Sequence, residues 1–165
     1  MSRTAHPRLV LIVIGTIVLA VDQATKLLAV QLVDDRSMSW GPVSLAVSRN
    51  TGGPFGFASS MSTVWALLAV VGGVVAVWGA TLVERVDRAT VAAAVVAGGV
   101  FGNLVDRIAH GGGGGAAGVV DWISFAPYPF ALNLADIALR GGALAWSVAL
   151  VRGRAAEDPD GWERP

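Results

Sequence analysis

Three short stretches set carboxylates at the ends of apolar runs: Asn103-Leu104-Val105-Asp106-Arg107, Val119-Val120-Asp121-Trp122 and Asn133-Leu134-Ala135-Asp136. An ionised carboxylate near the centre of a bilayer costs about 2.5–3.5 kcal/mol on insertion scales, so it rarely persists without a task. Asp121 and Asp136 are the pair best suited to chemistry, because two carboxylates in one site can divide the acid and base roles in activating water. Cys is absent, which removes thiol nucleophiles, disulfides and thiolate metal sites together. The only histidines, His6 and His110, are far apart and outside any H-E-x-x-H pattern. Neither a metal nor an organic cofactor is expected.

Such residues need membrane spans to hold them. The chain has 165 residues, 54% hydrophobic and 15% charged, against about 25% charged in soluble domains. The length fits a single domain, residues 1–165. Twelve basic and twelve acidic residues cancel, so charge marks no nucleic-acid partner. Val64 to Val83 is a run of 20 uncharged residues, enough to cross about 30 Å of hydrocarbon as a helix. Residues 9–30 form another span, interrupted by Asp22 and Lys26, and residues 90–108 a third, ending on Asp106-Arg107. Residues 130–151 form the fourth, with Asn133, Asp136 and Arg140 in its first half. Gly72-Gly73, Gly98-Gly99 and Gly141-Gly142 permit close helix approach in lipid. The fold class is an all-α polytopic membrane protein with four transmembrane helices and a flexible cytoplasmic tail, residues 152–165. Arg3, Arg8 and the apolar run after them also resemble a cleavable signal peptide, but cleavage would discard the Asp22–Lys26 pair.

Arginine placement orients the spans. Arg3 and Arg8 precede the first, Arg85 and Arg88 join the second and third, and Arg152 and Arg154 follow the fourth. The positive-inside rule puts both termini in the cytoplasm. Two loops then face outward, about Gln31 to Met61 and about Ala109 to Pro129. At 1.5 Å per residue, Asp22 lies roughly 20 Å from the cytoplasmic end of its span, and Asp106 and Asp136 roughly 24 Å from theirs. Three helices thus hold a carboxylate at one level, just below the outer face.

Helical spacing groups the polar residues further. Asn133, Asp136 and Arg140 fall at i, i+3 and i+7, and Asp22, Thr25 and Lys26 at i, i+3 and i+4, each set on one face. Asp22–Lys26 reads either as an intrahelical ion pair with a snorkelling lysine or as part of the site. Arg107 reads either as a helix C-terminal cation or as a ligand for a substrate carbonyl or lipid headgroup, with Asp106 fixing it or backbone amides. In the outer loops Val43 to Val47 alternates weakly, Val119-Val120 is strand-like, and Asn50-Thr51-Gly52-Gly53-Pro54 is turn chemistry. Trp40, Phe55 and Phe57 suit a membrane interface. Gly111 to Gly115 lacks the Lys-Ser/Thr of a phosphate loop and reads as a flexible spacer.

Taken in order, these pieces resemble the lipoprotein signal peptidases, or signal peptidase II. The matching stretches are Asp22-x-x-Thr25-Lys26, Asn50-Thr51-Gly52-Gly53-Pro54-Phe55-Gly56, Gly98-Gly99-x-x-Gly102-Asn103-Leu104-x-Asp106-Arg107, Val119-Val120-Asp121-Trp122-Ile123 and Asn133-Leu134-Ala135-Asp136. Any one is weak; five in order are specific. The resemblance implies a membrane aspartyl endopeptidase with a small extracytoplasmic β-rich cradle. It implies removal of the signal peptide of prolipoproteins before a diacylglyceryl-modified cysteine, in the bacterial cytoplasmic membrane. It makes Asp121 and Asp136 the catalytic pair. Asn50, Asn103, Arg107 and Asn133 become substrate contacts or braces, and Asp22, Lys26 and Asp106 supports. The expected partners are the lipid-modified substrate and membrane lipid, with the chain acting as a monomer. Gly53-Pro54 and Leu132 depart from the family pattern, and the glycine run lengthens the link from Arg107 to Asp121.

Two rivals differ in kind. A Ser–Lys peptidase would use Lys26, the only lysine, but no serine shares its helix face. A small proton-coupled transporter or membrane scaffold could bury carboxylates, yet the internal repeats common in transporters are missing.

Overall fold

The structure, a computed structural model, describes residues 6–33, 36–51, 71–75, 78, 86–110 and 118–157. Its long helices are α1 (Pro7–Val33), α2 (Arg88–His110) and α3 (Leu134–Glu157). Three stretches within them are long and apolar enough to cross a membrane: Pro7–Val33, Arg88–Ala109 and Leu134–Gly153. Pro7 opens α1, where the N–H it lacks would have had no helical partner. Asp87 caps α2, its Oδ1 accepting the Thr90 amide at 2.7 Å. Asn133 caps α3 by accepting the Asp136 amide at 2.8 Å.

α2 lies between the other two, packed on both. Its small residues make that possible. A Cβ at Gly98 would come within 2.8 Å of the Gly15 carbonyl on α1, and one at Gly99 within 2.6 Å of the Ala135 carbonyl on α3. Ala93 and Ala94 are buried, whereas α1 and α3 expose Leu9, Ile12, Ile17, Leu27, Leu28, Leu144 and Val151. A continuous apolar exterior of this kind suits lipid rather than water.

The expected spans 9–30 and 90–108 lie within α1 and α2, each of which runs two or three residues further at both ends. The expected span 130–151 needs correction at both ends. Ala131–Leu132 is strand and Asn133 a cap, so helix begins only at Leu134. An apolar run such as Phe130 to Leu132 fits either conformation, and hydropathy alone cannot see the break. At the other end α3 continues to Glu157, so residues 152–157, expected as flexible tail, are helical. Arg, Ala and Glu there are good helix formers. Residues 158–165, most of the expected span 64–83, the Gly52 to Phe57 segment and the Gly111 to Gly115 run lie outside the described residues. Residues 71–75 are helical, and Gly73 lies against Val100 and Phe101 of α2.

The sheet is antiparallel, in the order β1 (Met38–Trp40), β2 (Val43–Asn50), β3 (Val119–Phe125) and β4 (Ala131–Leu132). Gly41, at φ 57°, makes the tight turn into β2. Leu45 faces Ile123 but Ser48 faces Asp121, so β2 holds one extra residue between them. Strand faces alternate with a period of two; the bulge therefore puts Asn50 on the same face as Asp121 instead of Val120. Val119, Val120 and Ile123 are buried, and β2 and β3 pack on α1 while β3 also meets α2.

Candidate active site

The C-terminal half of α1, the C-terminal half of α2, the start of α3 and strand β3 each contribute one carboxylate to a single hydrogen-bonded cluster. Asp121, on β3, is buried, and Asp136 in the first turn of α3 is half-buried. Asn133 joins them. Its Oδ1 caps the Asp136 amide, while its Nδ2 donates to Asp121 Oδ1 at 2.6 Å and to Asn103 Oδ1 at 3.0 Å. Asn103 Nδ2 in turn donates to Asp136 Oδ1 at 3.0 Å. Asn50 Nδ2 donates to the other Asp121 oxygen, Oδ2, at 3.1 Å.

Burial lifts the Asp121 carboxyl to about 7, with the Asp136 charge adding to the rise. The hydrogen bonds from Asn50 and Asn133 and the charge of Lys26 oppose it. Arg107 sits in the field of Asp136, Asp121 and Asp106, and its Nη1 donates to the Asn103 carbonyl at 3.4 Å. Arg107 thus touches a carbonyl one turn back, as the helix C-terminal reading expects, and it also faces the carboxylates.

A second layer sits behind the first. Lys26 Nζ lies 2.7 Å from Asp22 Oδ2 and 3.0 Å from Asp106 Oδ2, and donates to Asn103 Oδ1 at 3.1 Å. Lys26 is 3% exposed, which overturns the snorkelling reading. Its Nζ contacts are thus two carboxylates and an amide oxygen rather than the serine hydroxyl that a Ser–Lys peptidase needs. Asp22 Oδ1 accepts the Ala135 amide at 2.8 Å, and Asp106 Oδ2 accepts the Val120 amide at 3.0 Å. Asp22 and Asp106 therefore hold the backbone one residue before Asp136 and Asp121, respectively. The layer expected from depth counting is one connected network.

All nine residues singled out from the sequence belong to this cluster. Arg140, placed on their helical face, lies one turn beyond Asp136 on α3. Gln23 was not foreseen: its Nε2 donates to the Gly102 carbonyl and to Asp106 Oδ1, both at 3.0 Å. One position after Asp22, it lies off the face shared by Asp22 and Lys26, and only its polarity within an apolar span marked it. Backbone amides such as Val120 and Ala135 have no signature in the sequence.

A family model described as signal peptidase (SPase) II matches residues 14–152. The chain belongs to the signal peptidase II family. A lipoprotein signal peptidase from Rhodococcus jostii is 36% identical over 164 residues, covering 96% of this chain and 79% of its own length. One from Pseudomonas putida is 33% identical over 165 residues, covering 92% of each. A solved bacterial membrane enzyme superimposes with a TM-score of 0.78 at 22% identity over 94% of this chain and 96% of its own, a likeness of fold. A second gives a TM-score of 0.69 at 26% identity over 85% and 91%. As a signal peptidase II, this protein is an aspartic-type membrane endopeptidase.

Proposed function

We propose that this peptidase removes the signal peptide of prolipoproteins by hydrolysing the bond before a diacylglyceryl-modified cysteine, with Asp121 and Asp136 as its catalytic pair. The observation that carries the assignment is the bridge through Asn133 and Asn103, which ties both carboxylates together. Two such groups titrate as a unit and share one proton. The ionised member, Asp136, takes a proton from water, and the water oxygen bonds to the scissile carbonyl carbon. Asp121 in its protonated form polarises that carbonyl and gives its proton to the leaving amine as the C–N bond breaks. Asn50, Asn103 and Asn133 orient the pair; Arg107 holds a substrate carbonyl or a lipid headgroup; Asp22, Lys26 and Asp106 support the site from behind.

The wider arrangement follows from the same reading. Residues 1–165 form one domain with four spans, residues 64–83 making the one that joins the three long helices, and both termini are cytoplasmic. The site then lies near the extracytoplasmic face of the bacterial cytoplasmic membrane, at the level where a diacylglyceryl group would anchor the scissile bond. The enzyme works as a monomer among membrane lipids. Purified protein in detergent should cleave a lipid-modified prolipoprotein and leave its unlipidated counterpart intact. Equal cleavage of both would remove the lipid from the recognition, and cleavage of neither would refute the assignment.

A further inference from the structure

We propose that Gln23 is a positioning residue for the catalytic pair, acting through Asp106 and the β3 backbone. The inference rests on Asp121 and Asp136 being that pair. Gln23 is half-buried on α1, and its Nε2 lies within hydrogen-bond distance of three acceptors: Gly102 O and Asp106 Oδ1 at 3.0 Å, and Asp22 Oδ2 at 3.2 Å. The two Asp106 oxygens are thereby used differently. Oδ1 receives Gln23, while Oδ2 receives Lys26 Nζ and the Val120 amide. The carboxamide sets the rotation of the Asp106 carboxylate, and that rotation aims Oδ2 at the strand residue next to Asp121.

A neutral donor is what this position needs. Asp22 and Asp106 are served by one ammonium, Lys26. An amide N–H supports both carboxylates without adding charge, whereas a carboxylate at position 23 would be a third anion around one cation. The charged groups joined to this position are Asp22 and Lys26 on α1 and Asp106 on α2. Asp121 on β3 and Asp136 on α3 are reached through Asn133 and Asn103. Displacement of a reacting group by about 1 Å can cost on the order of 100-fold in rate.

The test compares wild type, Q23M and Q23E in detergent on a lipid-modified prolipoprotein. Q23M keeps length and removes the donor; its kcat should fall about 10- to 100-fold with KM changed less than about threefold. Q23E cannot donate when ionised but can as a carboxylic acid, so the ratio of Q23E to wild-type kcat should climb as the pH is lowered. That recovery distinguishes positioning from a contribution to folding alone. A wild-type kcat in Q23M, or a Q23E ratio that stays flat with pH, overturns the inference. If Q23M does not fold, the Q23E ratio alone decides. Wild type that cleaves nothing rejects the dyad reading itself, and this inference with it.

Discussion

Asn133 performs two tasks that are usually separate: its side-chain oxygen caps α3 and its amide nitrogen holds Asp121. The Asp121 carboxylate and the Asp136 backbone amide therefore meet on one side chain, and the Asp136 carboxylate joins them through Asn103. Asp121→Asn and Asp136→Asn should each reduce cleavage by at least about 1,000-fold, some 4 kcal/mol in the barrier, while leaving membrane-inserted protein. Appreciable turnover by either purified variant would show that the pair is misassigned. The pH dependence follows from Asp121. With its carboxyl raised to about 7, the singly protonated pair is, under the proposed roles, the working form below that pH. Ionisation above it removes the acid that serves the carbonyl and the leaving amine. We expect kcat/KM to fall about tenfold per pH unit above 7, and a pH–rate profile flat to pH 9 would exclude this assignment of roles.

The helices matter chiefly through how closely they meet. Gly102 of α2 faces α1 and α3 at once: a Cβ there would lie 2.6 Å from Asp22 Oδ2 and 3.0 Å from Ala135 Cβ. Ala135 carries the amide that Asp22 accepts, so the added methyl would intrude on the bond holding the start of α3. Gly102→Ala should destabilise the protein by about 1–3 kcal/mol, as overpacked cores do, with a lower midpoint in thermal unfolding in detergent. An unchanged midpoint would mean the three helices do not meet this tightly. At this scale the sequence was partly legible. Long apolar runs located α1 and α2, whose interior periodicity depends only on local composition. The start of α3 was not legible, because Asn133 acts as a cap only once Asp136 and β3 are in place. The short strands β1 and β4, of three and two residues, are too brief to show a period and exist through their pairing with β2 and β3.

For the whole molecule, the arginines bear on orientation. Arg8, Arg88 and Arg152 lie at the helix ends opposite the sheet, which packs where α1 and α2 end and α3 begins. Reporters fused after Arg88 and Arg154 should read cytoplasmic, and one near Gly113 should read outside. A segment Arg85 to Arg88 cut by external protease would invert the topology and place the carboxylates on the wrong side of the membrane.

That these polar residues gather in one cluster could be expected without coordinates, for a physical reason: a carboxylate, an amide or a lysine in lipid is costly enough that its position alone is evidence. Spacing along each helix then assigned Asp22 with Lys26, and Asn133 with Asp136, to common faces. What these residues say to one another belongs to the fold. The Lys26 ammonium sits between carboxylates on two helices, Asp106 holds a strand amide, and a one-residue bulge in β2 turns Asn50 toward Asp121. Those bonds join groups dozens of residues apart, and their directions depend on helix rotation, strand register and backbone amides. None of these leaves a periodic trace in the sequence, so only packing of the helices on one another and on the sheet could decide them.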